Sequence, residues 1–156
     1  MLGTPVIAKA EILIRRPVAE VFEAFIDPTI TTQFWFTKSS GRLQVGKQIQ
    51  WDWDMYNVST QVYVGAIEKN KRIHVEWGTT TRALTAVEWI FKPYPYDTAF
   101  VSITNRGFVG TEEEIVQQAL ASTAGFTLVL AGLKALLEYN IRLNLVLDRF
   151  PDGKIQ

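Results

Sequence analysis

From Thr111 to Tyr139 the apolar residues Val116, Ala119, Thr123, Phe126, Leu130, Leu133 and Leu137 recur at steps of three and four, with Leu120, Ala124, Ala131 and Ala135 beside them. That spacing predicts one long helix with a wide apolar face. Its start is marked by Thr111 with Glu114 three positions on, and by the run Glu112, Glu113 and Glu114 at the positive end of the helix dipole. Asn140 is a suitable stop. A face this wide needs a large partner, and the middle of the chain supplies one in period-two segments.

Val6 to Arg15 alternates apolar and polar residues, as a half-buried strand does. Pro17 suits the first turn of a helix, and Val18, Val21, Phe22, Phe25 and Ile26 follow at helical spacing until Asp27 and Pro28 end it. A second short helix is predicted over Thr29 to Phe34. Further strands are predicted over Lys47 to Asp54, Ser59 to Ile67, Arg72 to Gly78, Leu84 to Lys92 and Thr98 to Asn105, with Pro93 to Asp97 breaking the ladder. In Ser59 to Ile67 the apolar residues fall on both faces, which leaves its register open. The tail from Ile141 to Phe150 is apolar enough to pack. The fold class is α+β: a curved antiparallel sheet of about six or seven strands, two short helices, and a long C-terminal helix across it, in a single domain spanning residues 1–156. A long helix crossing a curved sheet leaves unfilled volume beneath it, so an internal pocket is expected.

Composition removes many alternatives. Lys plus Arg and Asp plus Glu number 16 each, giving a net charge of zero with no basic block, which argues against nucleic acid as a partner. No run is expected to reach the roughly 20 apolar residues of a spanning helix, and no signal peptide is read at the N-terminus, so membrane insertion is not expected. The absence of cysteine fits a cytoplasmic location and removes thiol chemistry. One histidine, His74, alternates with Ile73 and Val75 and so faces away from the helix. Asp52 and Asp54 share a strand face opposite to Trp51 and Trp53, which places them in water. No metal-ligand spacing, phosphate loop or nucleophile elbow is present, and no catalytic residue, metal or cofactor is assigned. Glu76, Glu88 and Arg82 read as exterior charges.

The chain is instead rich in rings, with 5 Trp, 5 Tyr and 9 Phe. Trp51, Trp53, Trp77 and Trp89 stand at in-phase strand positions and are expected on the concave side beneath the helix. Either Asn105 or Arg106 should point inward as a polar anchor. The candidate ligand-binding residues are Trp35, Trp51, Trp53, Trp77, Trp89, Ile103, Asn105, Phe126, Leu130, Leu133 and Leu137.

Four segments carry a family resemblance. Arg16-Pro-Val-Ala-Glu-Val-Phe-Glu-Ala-Phe-Ile-Asp-Pro28 followed by Gln33-Phe-Trp-Phe36 resembles the opening of the START-like or SRPBCC superfamily, and more narrowly that of homologues of the heat-shock chaperone ATPase activator. Gly65-Ala-Ile-Glu-Lys-Asn-Lys-Arg-Ile-His-Val-Glu-Trp77 is similar to that family's central hairpin, and Thr104-Asn-Arg-Gly-Phe108 to its last-strand exit. Gly125-Phe-Thr-Leu-Val-Leu-Ala-Gly-Leu-Lys-Ala-Leu-Leu-Glu138 is similar to its closing helix. The chain departs from the family in having Phe34 and Trp35 for two adjacent tryptophans, and Leu128 for a tryptophan in the closing helix. The resemblance implies a helix-grip fold with a cavity, while ligand and reaction vary across the superfamily. The leading expectation is binding of a small lipophilic or aromatic molecule between sheet and helix. A co-chaperone stimulating a heat-shock chaperone ATPase and a polyketide cyclase or dehydratase-like enzyme are the alternatives. The cyclase reading requires inward ionisable groups, for which Asn105 or Arg106, Tyr63 and Glu76 are the candidates. A chaperone and a second copy of the chain are the further partners considered.

Overall fold

The computed structural model describes residues 4–80 and 83–155. In chain order its elements are β1 (Ala8–Ile14), α1 (Val18–Ile26), α2 (Pro28–Thr31), β2 (Lys38–Ser39), β3 (Gln48–Trp53), β4 (Val58–Glu68), β5 (Arg72–Gly78), β6 (Thr85–Tyr94), β7 (Thr98–Arg106), α3 (Glu112–Tyr139) and α4 (Leu145–Asp148). The strands form one antiparallel sheet in the order β1-β7-β6-β5-β4-β3-β2. It is a meander from β2 to β7 whose last strand returns beside the first. The two-residue strand β2 is an addition to the sequence reading.

Sheet register explains two segments that resisted the pattern. In β4, Val62 pairs with Trp77 and Val64 with Val75, and a bulge at Gly65 then brings Ala66 opposite His74 and Ile67 opposite Ile73. The extra residue flips the side-chain phase, so Thr60, Val62 and Val64 share the inner face with Ile67 although the spacing is odd. Pro93 does not break the ladder as expected, for it pairs with Ala99 inside β6. The Phe91 N–H donates toward β5, to the Lys71 carbonyl, and the phase of two aims position 93 the same way, past the end of β5 at Arg72. A missing N–H there costs no sheet bond. The chain turns instead at Tyr96 and Asp97, both with positive φ.

Helix α3 is N-capped by the Thr111 hydroxyl, which accepts from the Glu114 N–H at 3.1 Å, and it ends at Asn140 in the left-handed conformation. Its buried face is Ala119, Phe126, Val129, Leu130, Gly132, Leu133 and Leu136. Val129 and Leu136 are therefore part of the stripe, whereas Val116, Leu120 and Ala124 are exposed and do not widen it. At 28 residues α3 is also long and apolar enough, by length and composition alone, to cross a membrane, which corrects the expectation that no segment reaches that length. In this fold its apolar face lies on the sheet.

The far end of α3 is clasped to β1. The Lys134 ammonium donates to the Leu13 carbonyl at 2.8 Å and to the Glu138 carboxylate at 2.6 Å, and the Arg15 N–H donates to the same carboxylate at 2.9 Å. Burial pushes the Glu138 pKa upward, but the Arg15 N–H and the Lys134 charge outweigh it and hold the group below its ordinary value. A depressed carboxylate contributes stability above its unfolded pKa of about 4.3, and loses it as pH falls through the folded value. Glu138→Gln is expected to cost about 1–2 kcal/mol at pH 7. Urea unfolding of both proteins checks this, with the difference shrinking at pH 3.5.

Candidate functional site

Rings that the sequence spreads over five elements meet in one cluster. The Trp35 ring, delivered by the turn after α2, lies 4.9 Å from Trp51, 5.9 Å from Trp77 and 5.7 Å from Phe126, centroid to centroid. Phe36 stacks on Trp51 at 4.6 Å. On the other side Phe25 of α1 approaches Trp89 and Phe91 at 5.8 and 6.1 Å. Phe34 packs against α3 at Gly132. One end of the space between sheet and helix is thereby plugged.

The other end is hollow. A cavity of about 490 Å³ lies between the N-terminal half of α3 and the ends of β3 to β7, walled by Trp35, Trp53, Trp77, Phe108 and Phe126 and by the C-terminal segment. Trp77 and Phe126 stack on each other in its wall, with centroids 5.7 Å apart and rings inclined by 27°. Of the eleven residues proposed from sequence, Trp35, Trp53, Trp77, Asn105 and Phe126 line this cavity. Trp51, Trp89, Ile103, Leu130 and Leu133 do not; they are fully buried in the plugged half. Leu137, half-buried near the helix end, does not reach it either. All lie on the expected faces, but α1 and Phe34 to Phe36 fill the space before them.

Asn105 organises the polar part of the wall. It is 3% exposed, and its amide donates to the Thr85 hydroxyl and to the Ala86 carbonyl, both at 2.9 Å, while its oxygen accepts from the Ser122 hydroxyl at 2.8 Å. The Thr85 oxygen also accepts from the Trp77 indole N–H at 3.1 Å. With two donors already on that oxygen, its own proton is left to donate, and Thr85 lines the cavity. Thr60, 9% exposed, adds a second hydroxyl to the wall. The site thus offers hydrogen-bond donors at points on an apolar surface. Arg106 is exposed, so the inward member of the pair is Asn105.

The lid comes from the tail, whose role the sequence did not reveal. Tyr56 holds it: its hydroxyl contacts the Val146 carbonyl, donates to the Leu147 carbonyl at 3.2 Å and accepts from the Phe150 N–H at 3.3 Å. The Arg149 guanidinium donates to the Ala121 carbonyl of α3 at 3.1 Å and sits 4.8 Å over the Phe150 ring. Val146, Arg149, Phe150 and Ile155 face the cavity. A second hollow of about 390 Å³ lies between residues 32–37 and 142–147.

The remaining candidates stand elsewhere. His74 is half-buried on the convex face beside Gly65, with its Nδ1 buried and unpartnered. Tyr63 and Glu76 pair across β4 and β5 on that same outer face and do not line the cavity. Asp52 accepts from the Ser59 hydroxyl at 2.6 Å and from Gln50 at 2.9 Å, which hold its pKa below the ordinary carboxylate value, while Asp54 pairs with Lys38 at 3.3 Å. Glu88 accepts from Arg72 at 2.6 Å. Arg82 lies outside the described residues. Among the described residues no group of three His, Asp or Glu is placed to hold a metal ion.

A curved antiparallel sheet gripping a long C-terminal helix is the helix-grip arrangement of START-like proteins. The chain belongs to the family described as Activator of Hsp90 ATPase homolog 1-like protein, whose pattern matches residues 15–138. Among solved structures it is similar to SSP2350 from Staphylococcus saprophyticus, at 27% identity over 88% of this chain and 95% of that one, with a TM-score of 0.74. DynU16, a protein of the dynemicin biosynthetic locus, gives a TM-score of 0.76 at 18% identity; the match covers 89% of this chain and 49% of DynU16. The Aha1 dimer from Colwellia psychrerythraea gives 0.73 at 17% identity over 86% of this chain and 97% of that one. No curated protein matches the sequence.

Proposed function

We propose that this protein binds a small lipophilic or aromatic molecule in the cavity between the sheet and the N-terminal half of α3. The observation that carries the reading is a 490 Å³ space walled by tryptophan and phenylalanine and edged by a few hydroxyl donors. This is the size and composition of a small-molecule site, in which apolar area supplies affinity and a few polar groups fix orientation. The similarity to DynU16, a protein of a biosynthetic locus, agrees with it. Three tryptophans on the wall give a direct readout: titration with anthracene-9-methanol is expected to quench indole emission saturably. Absence of any change in emission or in melting temperature counts against the reading.

Blocking the mouth is a sharper test. Ala121 is exposed on α3 where it borders the cavity, so a large ring there is accommodated by the fold. If the Ala121→Trp indole keeps roughly 100 Å² of the probe in water, the loss is about 2.5 kcal/mol at about 25 cal/mol per Å², close to a hundredfold in affinity. The melting temperature should stay within about 2 °C, since surface substitutions usually change stability by under about 0.5 kcal/mol.

A second reading rests on the family description, stimulation of a heat-shock chaperone ATPase. A coupled ATPase assay with the purified chaperone tests it, and unchanged turnover removes it. The similarity to a dimeric Aha1 supports self-association as part of that reading.

A further inference from the structure

We infer that the ligand is an anion, a planar aromatic or lipophilic carboxylate whose charged group is received by Arg149. This inference rests on the cavity-binding reading and adds the charge of the ligand to it. Among the described residues lining the cavity, Arg149 is the one charged side chain; no Asp, Glu, Lys or His stands with it. Of the five N–H donors of a guanidinium, one bond is made among the described residues, to the Ala121 carbonyl, and no carboxylate of the described residues pairs with this group. A cation at the edge of an apolar, partly enclosed space, with no counter-ion of its own, attracts an anion more strongly than one in open water.

The fold also fixes where that cation lies. Gly125 occupies the middle of α3, where glycine costs about 1 kcal/mol relative to alanine. A Cβ there would stand 2.8 Å from Arg149 Nη1, so the missing side chain is the notch that the guanidinium fills. The Ala121 carbonyl holds its other nitrogen, and the Phe150 ring supports its face. Three independent contacts therefore aim one arginine along the cavity wall. Stacked Trp77 and Phe126 offer a flat apolar surface, and the Thr60 and Thr85 hydroxyls meet acceptors on the body of the ligand.

The test compares two probes of nearly equal shape, anthracene-9-carboxylate and anthracene-9-methanol, by quenching of indole emission at pH 7 in low salt. The native protein is expected to bind the carboxylate about tenfold more tightly, the scale of one charge-assisted hydrogen bond. Arg149→Gln is expected to remove that preference, read as the ratio of the two affinities within the same variant so that any loosening of the lid affects both probes alike, and Arg149→Lys to keep part of it. Equal affinities in the native protein, or a carboxylate preference that survives Arg149→Gln, overturn the assignment to Arg149 and leave cavity binding standing. Failure of both probes to bind overturns the anion and the cavity readings together.

Discussion

Trp35→Ala is expected to remove about 3–5 kcal/mol of stability, the range for deleting a large buried ring from a packed core. For a chain of this size each kcal/mol moves Tm by about 2–4 °C, so the melting temperature should fall by on the order of 10 °C. The effect is large because of where the ring stands. Trp35 is 7% exposed and has seven aromatic neighbours, Phe25, Phe36, Trp51, Trp53, Trp77, Trp89 and Phe126, all with centroids 4.9 to 6.3 Å away. It forms the partition between the plugged half of the interior and the open half, so the void it leaves adds to an existing cavity that the surrounding chain cannot readily close. Thermal unfolding followed by circular dichroism checks the stability. A loss under 1 kcal/mol shows that the ring is not packed as described. The same variant should bind anthracene-9-methanol less tightly, because one aromatic wall of the site is gone.

This partition also explains what could and could not be read from the sequence. The period of two set the faces of Trp51, Trp53, Trp77 and Trp89 correctly, and the helical period put Phe126, Leu130 and Leu133 on the inner side of α3. Those are local properties of a strand or a helix. Whether an inward residue meets empty space or another side chain depends on what arrives from elsewhere. Here α1 and Phe34 to Phe36 arrive at one end and leave the other open. Periodicity therefore yields the inner face but not the cavity wall. Thr60 was hidden by the Gly65 bulge, which mixes the two faces of β4 when it is read at constant phase. Tyr56 belongs to a tertiary contact between the tail and a turn 94 residues away in the chain, and Arg149 to one between the tail and α3, 28 residues away. One clue to it was in the sequence: Gly125 inside an otherwise well-formed helix marks a place where something approaches closely.

Asn105→Asp is expected to give a strongly pH-dependent loss of stability. The substitution keeps the shape but replaces the amide nitrogen, which donates to the Thr85 hydroxyl and the Ala86 carbonyl, with an oxygen. Ionised, this group would face the Ala86 carbonyl without a proton between them at a site 3% exposed, so burial and the lost donors raise its pKa in the folded state. Below about pH 4 the carboxyl is protonated in both states and can itself donate to Ala86, so the variant should lie within about 1 kcal/mol of the native protein. As pH rises, the unfolded chain releases the proton first, and stability falls by about 1.36 kcal/mol per unit until the folded group also ionises. With a rise of two to three units the plateau is a loss of about 3–4 kcal/mol. Urea unfolding at pH 4, 6 and 8 follows it, with Asn105→Ala as a comparison that loses the same hydrogen bonds but should show no such slope. A constant difference between Asn105→Asp and the native protein across that range contradicts a buried, donor-dependent site. The ionised variant should also draw the Thr85 proton toward its own carboxylate, withdrawing from the cavity a donor that a ligand oxygen would otherwise meet.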